Sequence, residues 1–236
     1  MEFSIIVQAR MGSSRLPGKV LTEINGTTLF ECLLKQISYC KSIDNVIVAT
    51  TREKIDDLIF NKCRELDTTV FRGSELNVLD RFYQCAKKYS LKNIVRITAD
   101  NPLIDPQIID HVIDVYKKGQ FDYVSNCETR TFPYGAEVEV FSYVALERAK
   151  NEALDNYELE HVTPYIRNKE KFNTFCLKRD EDLSHLRWTV DTKDDLLFIR
   201  KIYKRFTKKP ILLEDILEIL EKEPELLKYN TNLPKE

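Results

Sequence analysis

The sequence predicts an α/β protein: a Rossmann-like, mostly parallel sheet with helices on both faces and a small inserted lobe. Three observations carry that expectation. Short apolar runs alternate with amphipathic helical stretches over roughly the first 125 residues, the pattern of successive β-α-β units. The first run, Ile5 to Val7, is apolar on both faces, as a strand buried inside a parallel sheet must be. Capping signals, led by Thr28-x-x-Glu31, mark where the helical stretches begin.

The elements follow in order. After the first strand and its loop, Leu29, Cys32, Leu33, Ile37 and Cys40 share one helical face behind the Thr28 capping box. Residues 46–49 form a second buried strand, and helix 53–66 turns Ile55, Leu58, Ile59, Cys63 and Leu66 inward. A strand over 69–71 ends at Arg72-Gly73, and helix 76–89 carries Leu79, Phe82, Cys85, Ala86 and Tyr89 inward. Strand 93–98 breaks at Ala99-Asp100-Asn101-Pro102, and Asp105 with Pro106 caps a helix reaching about Lys118. Tyr123 and Val124 begin another strand. The regularity then lapses: 127–140 suggests a hairpin or edge strand, and Pro164 interrupts a helix-like stretch over 157–168. Residues 172–177 and 186–190 read as strands, Thr192-x-x-Asp195 caps a helix to about Phe206, and a short helix follows Pro210. A single domain over 1–236 is expected, with residues of about 127–180 as an inserted substrate or dimer lobe.

Bulk composition narrows the function. A chain of 236 residues with 43% hydrophobic and 31% charged residues is an ordinary globular protein, and its net charge of −2 supplies no basic field for nucleic acid. Neither a run of 18 apolar residues nor a secretory leader pattern is present, so no membrane partner and a cytoplasmic location are expected. The six cysteines contain no C-x-x-C pair and four lie on apolar helix faces, which suits buried thiols in a reducing compartment.

The chemistry concentrates between the first strand and Leu21. Arg10, Arg15 and Lys19 are interspersed with Gly12, Ser13, Ser14 and Gly18, with no acid among them. Small residues let backbone N–H groups approach an anion while the cations offset its charge, so the loop is suited to a polyphosphate. It is not a Walker loop, since five residues separate Gly12 from Gly18 and Val20 follows Lys19. No G-x-G-x-x-G occurs either. Further strand ends carry Arg72-Gly73, Arg96-x-x-x-Asp100 and Val190-Asp191-Thr192. Two carboxylates at strand ends facing a cationic loop form a plausible Mg²⁺ site, because that ion takes one or two protein carboxylates and leaves the rest to water and phosphate. A turn-forming role ahead of Asn101-Pro102 is the alternative for Asp100, and helix capping the alternative for Asp191.

The run R-x-x-S-S-R-L-P-G-K at residues 10–19 resembles the cytidylyltransferases that make CMP-activated sugar acids, in the branch associated with spore-coat and surface polysaccharide synthesis. The likeness extends to about residue 205 through Arg96-Ile-Thr-Ala-Asp-Asn-Pro, Trp188-Thr-Val-Asp-Thr-Lys-Asp-Asp-Leu, Tyr134-Gly-Ala-Glu-Val-Glu-Val and Glu160-His-Val-Thr-Pro-Tyr-Ile-Arg. Lys193-Asp194 stands where the family often has Pro-Glu, a change that still starts a helix.

The resemblance implies a fold of the nucleotide-diphospho-sugar transferase type and a Mg²⁺-dependent transfer of CMP from CTP to a hydroxyl of a sugar or sugar acid, with release of pyrophosphate. It assigns Arg10, Arg15 and Lys19 to the triphosphate, with Lys19 nearest the transition state, and Asp100 and Asp191 to the metal. Ala9, Ser14, Arg72, Gly73 and Arg96 are expected around the nucleotide. Tyr134, Glu137, Glu139, His161 and Arg167 fall where the family places the acceptor, and a homodimer is implied. Cytosine itself rests on the resemblance alone, which leaves open a sugar-1-phosphate nucleotidyltransferase using another nucleotide. A glycosyltransferase is the more distant alternative, because Asp180-Glu181-Asp182 lies in a charged loop and not after an apolar strand.

Overall fold

The computed structural model describes residues 1–229, and its architecture is the expected one: a seven-stranded, mostly parallel sheet with helices on both faces. The strands are β1 (Phe3–Gln8), β4 (Asn45–Thr51), β5 (Thr69–Gly73), β6 (Asn93–Thr98), β7 (Tyr123–Ser125), β8 (Glu139–Ser142) and β9 (Thr174–Cys176), arranged β5-β4-β1-β6-β8-β7-β9. β1 pairs in parallel with β4 and β6, whereas β8 runs antiparallel between β6 and β7. A separate two-stranded hairpin, β2 (Glu23–Ile24) and β3 (Thr27–Thr28), not expected from the sequence, leads into the first helix.

Alternation along β1 explains its uniformly apolar sequence. Ile5 and Val7 enter one core and Ile6 the other, and all three are fully buried. The larger core also takes α1 (Leu29–Ile37), α2 (Asp57–Glu65), α4 (Pro106–Lys118), α7 (Lys193–Arg205) and α8 (Leu213–Lys222). The smaller takes α3 (Val78–Lys88) and α5 (Tyr143–Glu152), with the short α6 (Asn156–His161) beside α3. The capping boxes form as the sequence requires: Thr28 Oγ1 accepts from Glu31 N at 3.2 Å, and Thr192 Oγ1 from Asp195 N at 3.2 Å. Asp105 caps α4 through Gln107 N at 2.7 Å and also takes Leu213 N at 2.7 Å, tying α4 to α8. All six cysteines are free thiols, and burial pushes Cys63 and Cys85 up to about 12. Among the described residues no helix is long and apolar enough to cross a membrane.

Several expected elements differ. Residues 186–190 do not form a strand; they run extended beside Tyr134, with a single bridge between Tyr134 and Arg187. The helix-like stretch over 157–168 ends at His161, where Val162 takes φ 70°, ψ −55° and Thr163 N donates to His161 O at 2.8 Å. That is a γ-turn of the rare positive-φ hand, strained for a β-branched residue. α5 has no counterpart in the sequence reading, and residues 127–180 contribute β8 and β9 to the main sheet.

The topology positions the cleft. The chain builds outward from β1 through β4 to β5, then crosses back to place β6 on the other side of β1. Loops leaving the carboxyl ends of β1 and β6 therefore diverge and open a crevice at this reversal. The segment 186–191 closes one flank of it, held by Trp188 N donating to Tyr134 O at 2.7 Å and Val190 N to Asp100 O at 2.9 Å. Gly135 permits that approach: at φ 98°, a Cβ there would meet Thr189 N at 2.6 Å and Trp188 C at 2.8 Å. Gly135→Ala is expected to cost about 2 kcal/mol or more, and Gly26→Ala, at φ 92° but with nothing within 4 Å, clearly less. Urea unfolding of both variants checks the ranking, and equal losses would show that the close approach is unimportant.

Candidate active site

Loop 9–19 is fixed from beneath. Met11 N donates to the buried Asp56 Oδ1 at 2.7 Å, and Thr51 holds the other oxygen of that carboxylate. Met11 O in turn accepts from Ser13 N at 2.9 Å and Gly18 N at 3.0 Å, folding the loop back on itself. Gly18, at φ 73°, then starts a 3₁₀ turn over Lys19–Leu21. The consequence is to bury Lys19 while Arg10 stays exposed.

Lys19 Nζ donates to Asp100 Oδ2 at 2.8 Å and to Asp191 Oδ1 at 2.7 Å, so residues 81 and 172 positions away in sequence meet at one ammonium. Burial alone would lower the Lys19 ammonium, but the two carboxylates hold it above its ordinary value. Burial likewise would raise the Asp100 carboxyl, and Lys19 draws it below the usual range. Asp191 further engages Arg15 Nη2 at 3.2 Å and Arg187 Nη2, while Asp195 takes the backbone N–H groups of Asp191 and Thr192, each at 2.9 Å. Helix capping at the start of α7 thus falls to Thr192 and Asp195, leaving the Asp191 carboxylate free to face the cleft.

A second network forms the wall across from the loop. Glu139, 3% exposed, accepts from Tyr123 Oη and Arg167 Nη2 at 2.7 Å each, from Thr163 Oγ1 at 2.6 Å, and from Arg96. Burial would raise its carboxyl, but Arg96 and Arg167 drive it far below the ordinary carboxylate range. Nearby, Arg130 pairs with Glu137 at 2.5 Å and lies 3.8 Å over the Tyr134 ring. The γ-turn at Val162 lets His161 and Arg167 face one space despite their separation of six residues, and places Thr163 on Glu139. The resulting cavity measures about 750 Å³.

The structure brings Arg10, Ser14, Arg15, Lys19, Arg96, Asp100, Asp191, Tyr134, Glu137, Glu139, His161 and Arg167 to this one cavity. It does not bring Ala9, Arg72 or Gly73 there. Ala9 is buried and donates its N–H to Ala49 O at 3.2 Å. Arg72 turns away to Asp57 at 2.5 Å, Thr51 O at 2.8 Å and Glu53 O at 2.9 Å, since the side-chain alternation of β5 aims it at α2. Glu139 is spent on its four partners and acts on the arginines, not as an open ligand group.

Two further arginines line the cleft without being evident from the sequence. Arg187 lies four residues before Asp191 in an extended segment, where no helical spacing advertises the pair. Arg81 did leave a signal: it is a charge on the apolar face of α3, three residues after Val78 and four before Cys85.

The two carboxylates suit Mg²⁺ in donor chemistry, being hard oxygen ligands gathered on a cation of the chain's own. Among the described residues no group of three or more His, Cys, Asp or Glu converges as a metal site, so such an ion would need substrate oxygens to complete its shell.

Comparison with known proteins places the chain in context. The family model described as Cytidylyltransferase matches residues 4–231. The chain is 41% identical over 231 residues to the uncharacterized protein MJ1063 of Methanocaldococcus jannaschii, covering 97% of this chain and 94% of that one. It is 32% identical over 231 residues to the spore coat polysaccharide biosynthesis protein SpsF of Bacillus subtilis, covering 93% and 94%. A cytidylyltransferase structure from Leptospira borgpetersenii superposes with TM-score 0.92 at 35% identity, over 100% of this chain and 99% of that one. At the level of fold alone, a CMP:2-keto-3-deoxy-manno-octonic acid synthetase complexed with CTP gives TM-score 0.66 at 16% identity, covering 87% and 99%.

The Glu139 network sets an acid-stability prediction. A carboxyl whose folded pKa is depressed contributes stability that is complete above its unfolded value of about 4.3 and is lost as pH falls toward the folded value. Glu139→Gln is therefore expected to lower stability by about 3 kcal/mol near neutrality and to flatten the fall of Tm below about pH 4. Thermal unfolding from pH 3 to 7 checks it; parallel curves for the two proteins would remove Glu139 from the acid response.

Proposed function

The chain belongs to the cytidylyltransferase family, and on that footing we propose that it transfers CMP from CTP to a hydroxyl of a sugar or sugar acid for surface polysaccharide or glycoconjugate synthesis. The observation that carries this reading is the convergence of Lys19, Asp100 and Asp191 beside a loop of further cations.

The acceptor hydroxyl gives up its proton to water and attacks the α-phosphorus in line, the bond to the bridging oxygen breaks, and pyrophosphate leaves. Such a transfer asks the protein for positioning and for charge compensation as negative charge shifts onto phosphate oxygens. Arg10 has no ion-pair partner among the described residues and is open to phosphate from the start. Arg15 and Lys19 reach the phosphates by giving up contacts to Asp191 and Asp100. Lys19, a compact charge on a flexible stem, is the group placed for the α-phosphate. Asp100 and Asp191 would hold Mg²⁺, which supplies Lewis-acid charge at the phosphates.

The wall of Tyr134, Glu137, His161 and Arg167 supplies aromatic surface and hydrogen-bonding groups for the acceptor, with 127–180 as the acceptor-binding segment. A cytoplasmic homodimer belongs to the same reading; Leu76 just before α3, Val144 in α5, Leu154 between α5 and α6, and Tyr157 in α6 give exposed apolar surface for a second copy. A glycosyltransferase is disfavoured because Asp180 and Asp182 do not line the cleft, and Asp182 instead accepts from Ser184 N at 2.8 Å.

Purified protein supplied with CTP, Mg²⁺ and a panel of surface sugars is expected to release pyrophosphate. Asp100→Asn and Asp191→Asn should each reduce that release by about a hundredfold or more while circular dichroism stays unchanged. Full turnover in either variant would overturn the assignment of these carboxylates.

A further inference from the structure

Of the three cations on Asp191, one is built in differently from the others. Arg15 reaches in from an exposed loop, and Lys19 is a compact charge on a flexible stem, so both can transfer to a polyphosphate. Arg187 cannot follow them. Its side chain is 6% exposed and holds two acids at once: Asp191 Oδ2 through Nη2, and Oδ1 of the fully buried Asp195 through Nε at 3.4 Å. The backbone on either side is pinned, with Tyr134 N donating to Leu186 O at 2.9 Å and Trp188 N to Tyr134 O at 2.7 Å. Asp195 is fixed in turn by the N–H groups of Asp191 and Thr192 at 2.9 Å each and by Thr192 Oγ1 at 3.0 Å. Departure of Arg187 would strand that buried carboxylate without the cation it is paired with, a costly state.

The two oxygens of Asp191 are thereby divided. Oδ1 belongs to Lys19 at 2.7 Å, and Oδ2 to Arg187 and, at 3.2 Å, to Arg15. While all three cations stay, Asp100 and Asp191 are outnumbered by positive charge, and a bare divalent cation gains little from them. Once a triphosphate draws Lys19 and Arg15 to itself, Oδ1 opens and Arg187 still grips Oδ2. A carboxylate steadied at one oxygen and open at the other is the form that suits a hard cation.

We propose that Arg187 is a positioning residue that holds Asp191 by one oxygen and keeps it neutralised, so that the carboxylates admit a divalent cation together with a nucleoside triphosphate and not ahead of it. This rests on the nucleotidyl-transfer reading above and deepens it. The role passes through Asp191 and requires no contact between Arg187 and substrate.

Binding measurements test this without knowledge of the acceptor, with Mn²⁺ as the probe, followed by electron paramagnetic resonance. Wild-type protein is expected to bind the Mn²⁺–CTP chelate at concentrations where Mn²⁺ alone does not bind. Arg187→Met should bind Mn²⁺ alone about tenfold more tightly, because a neighbouring positive charge is gone, and the chelate about tenfold more weakly, because Asp191 has lost its support. Opposite shifts separate this role from a merely structural one, since a loosened cleft weakens both. Arg187→Lys keeps the charge, but a single ammonium does not reproduce the planar grip on two aspartates. It should leave Mn²⁺ alone as weak as in wild type and still bind the chelate about tenfold more weakly. Thermal unfolding checks both variants, and wild type with Arg187→Lys decides the matter if Arg187→Met does not fold. Tight Mn²⁺ binding by nucleotide-free wild type, no gain of Mn²⁺ affinity in Arg187→Met, or full chelate affinity in Arg187→Lys would overturn the role of Arg187. A wild-type preference for the UTP, ATP or GTP chelate would overturn CTP alone, and the same comparisons with that chelate would then decide Arg187. CTP affinity that is the same with Mn²⁺ as with a chelator present would overturn the metal assignment and Arg187 together.

Discussion

A buried ammonium held between two carboxylates organises this molecule. Lys19, Asp100 and Asp191 come from a loop after β1, a turn after β6 and the entrance to α7, and each would be costly to bury alone. Their mutual neutralisation is what allows three remote segments to close on one another. The backbone link from Val190 N to Asp100 O keeps two of them in register even when the side chains exchange partners. Three cations converge on Asp191, two of them, Lys19 and Arg187, buried and the third, Arg15, reaching in from the exposed loop.

The same logic recurs at the opposite wall, with the signs reversed. There a single carboxylate, Glu139, collects Arg96, Arg167, Tyr123 and Thr163, joining β6, β7, β8 and the segment after α6. Low local dielectric makes such a network strong when complete and expensive when broken. The strained turn at Val162 is tolerated at this place: the fully buried valine anchors it, and the hydrogen bond from Thr163 to Glu139 holds its far side.

Much of the architecture was legible because it follows from local rules. The doubly apolar run at Ile5–Val7 demanded a central strand, and the boxes at Thr28 and Thr192 demanded helix starts at those positions. That the cationic loop would meet Asp100 and Asp191 was likewise readable, since an open α/β fold brings its strand ends together. Less was legible where packing decides. Residues 186–190 look like a strand by composition, yet their backbone is taken up by Tyr134 and Asp100 and not by a sheet neighbour. Arg72 and Arg81 show the limit most clearly: the arginine at the strand end pairs with Asp57 away from the cleft, and the one on the apolar face of α3 lies in its wall.

Sequence by itself determined the strand and helix order, the caps and the cationic loop, because each depends on residues a few positions apart. Only tertiary structure decided which distant charges neutralise one another, that Glu139 is an organiser instead of an open ligand, and that Arg187 holds Asp191 and Asp195 at once. Those outcomes depend on burial and on the direction a side chain takes from its element, which are set by the packing of the whole chain and not by local spacing.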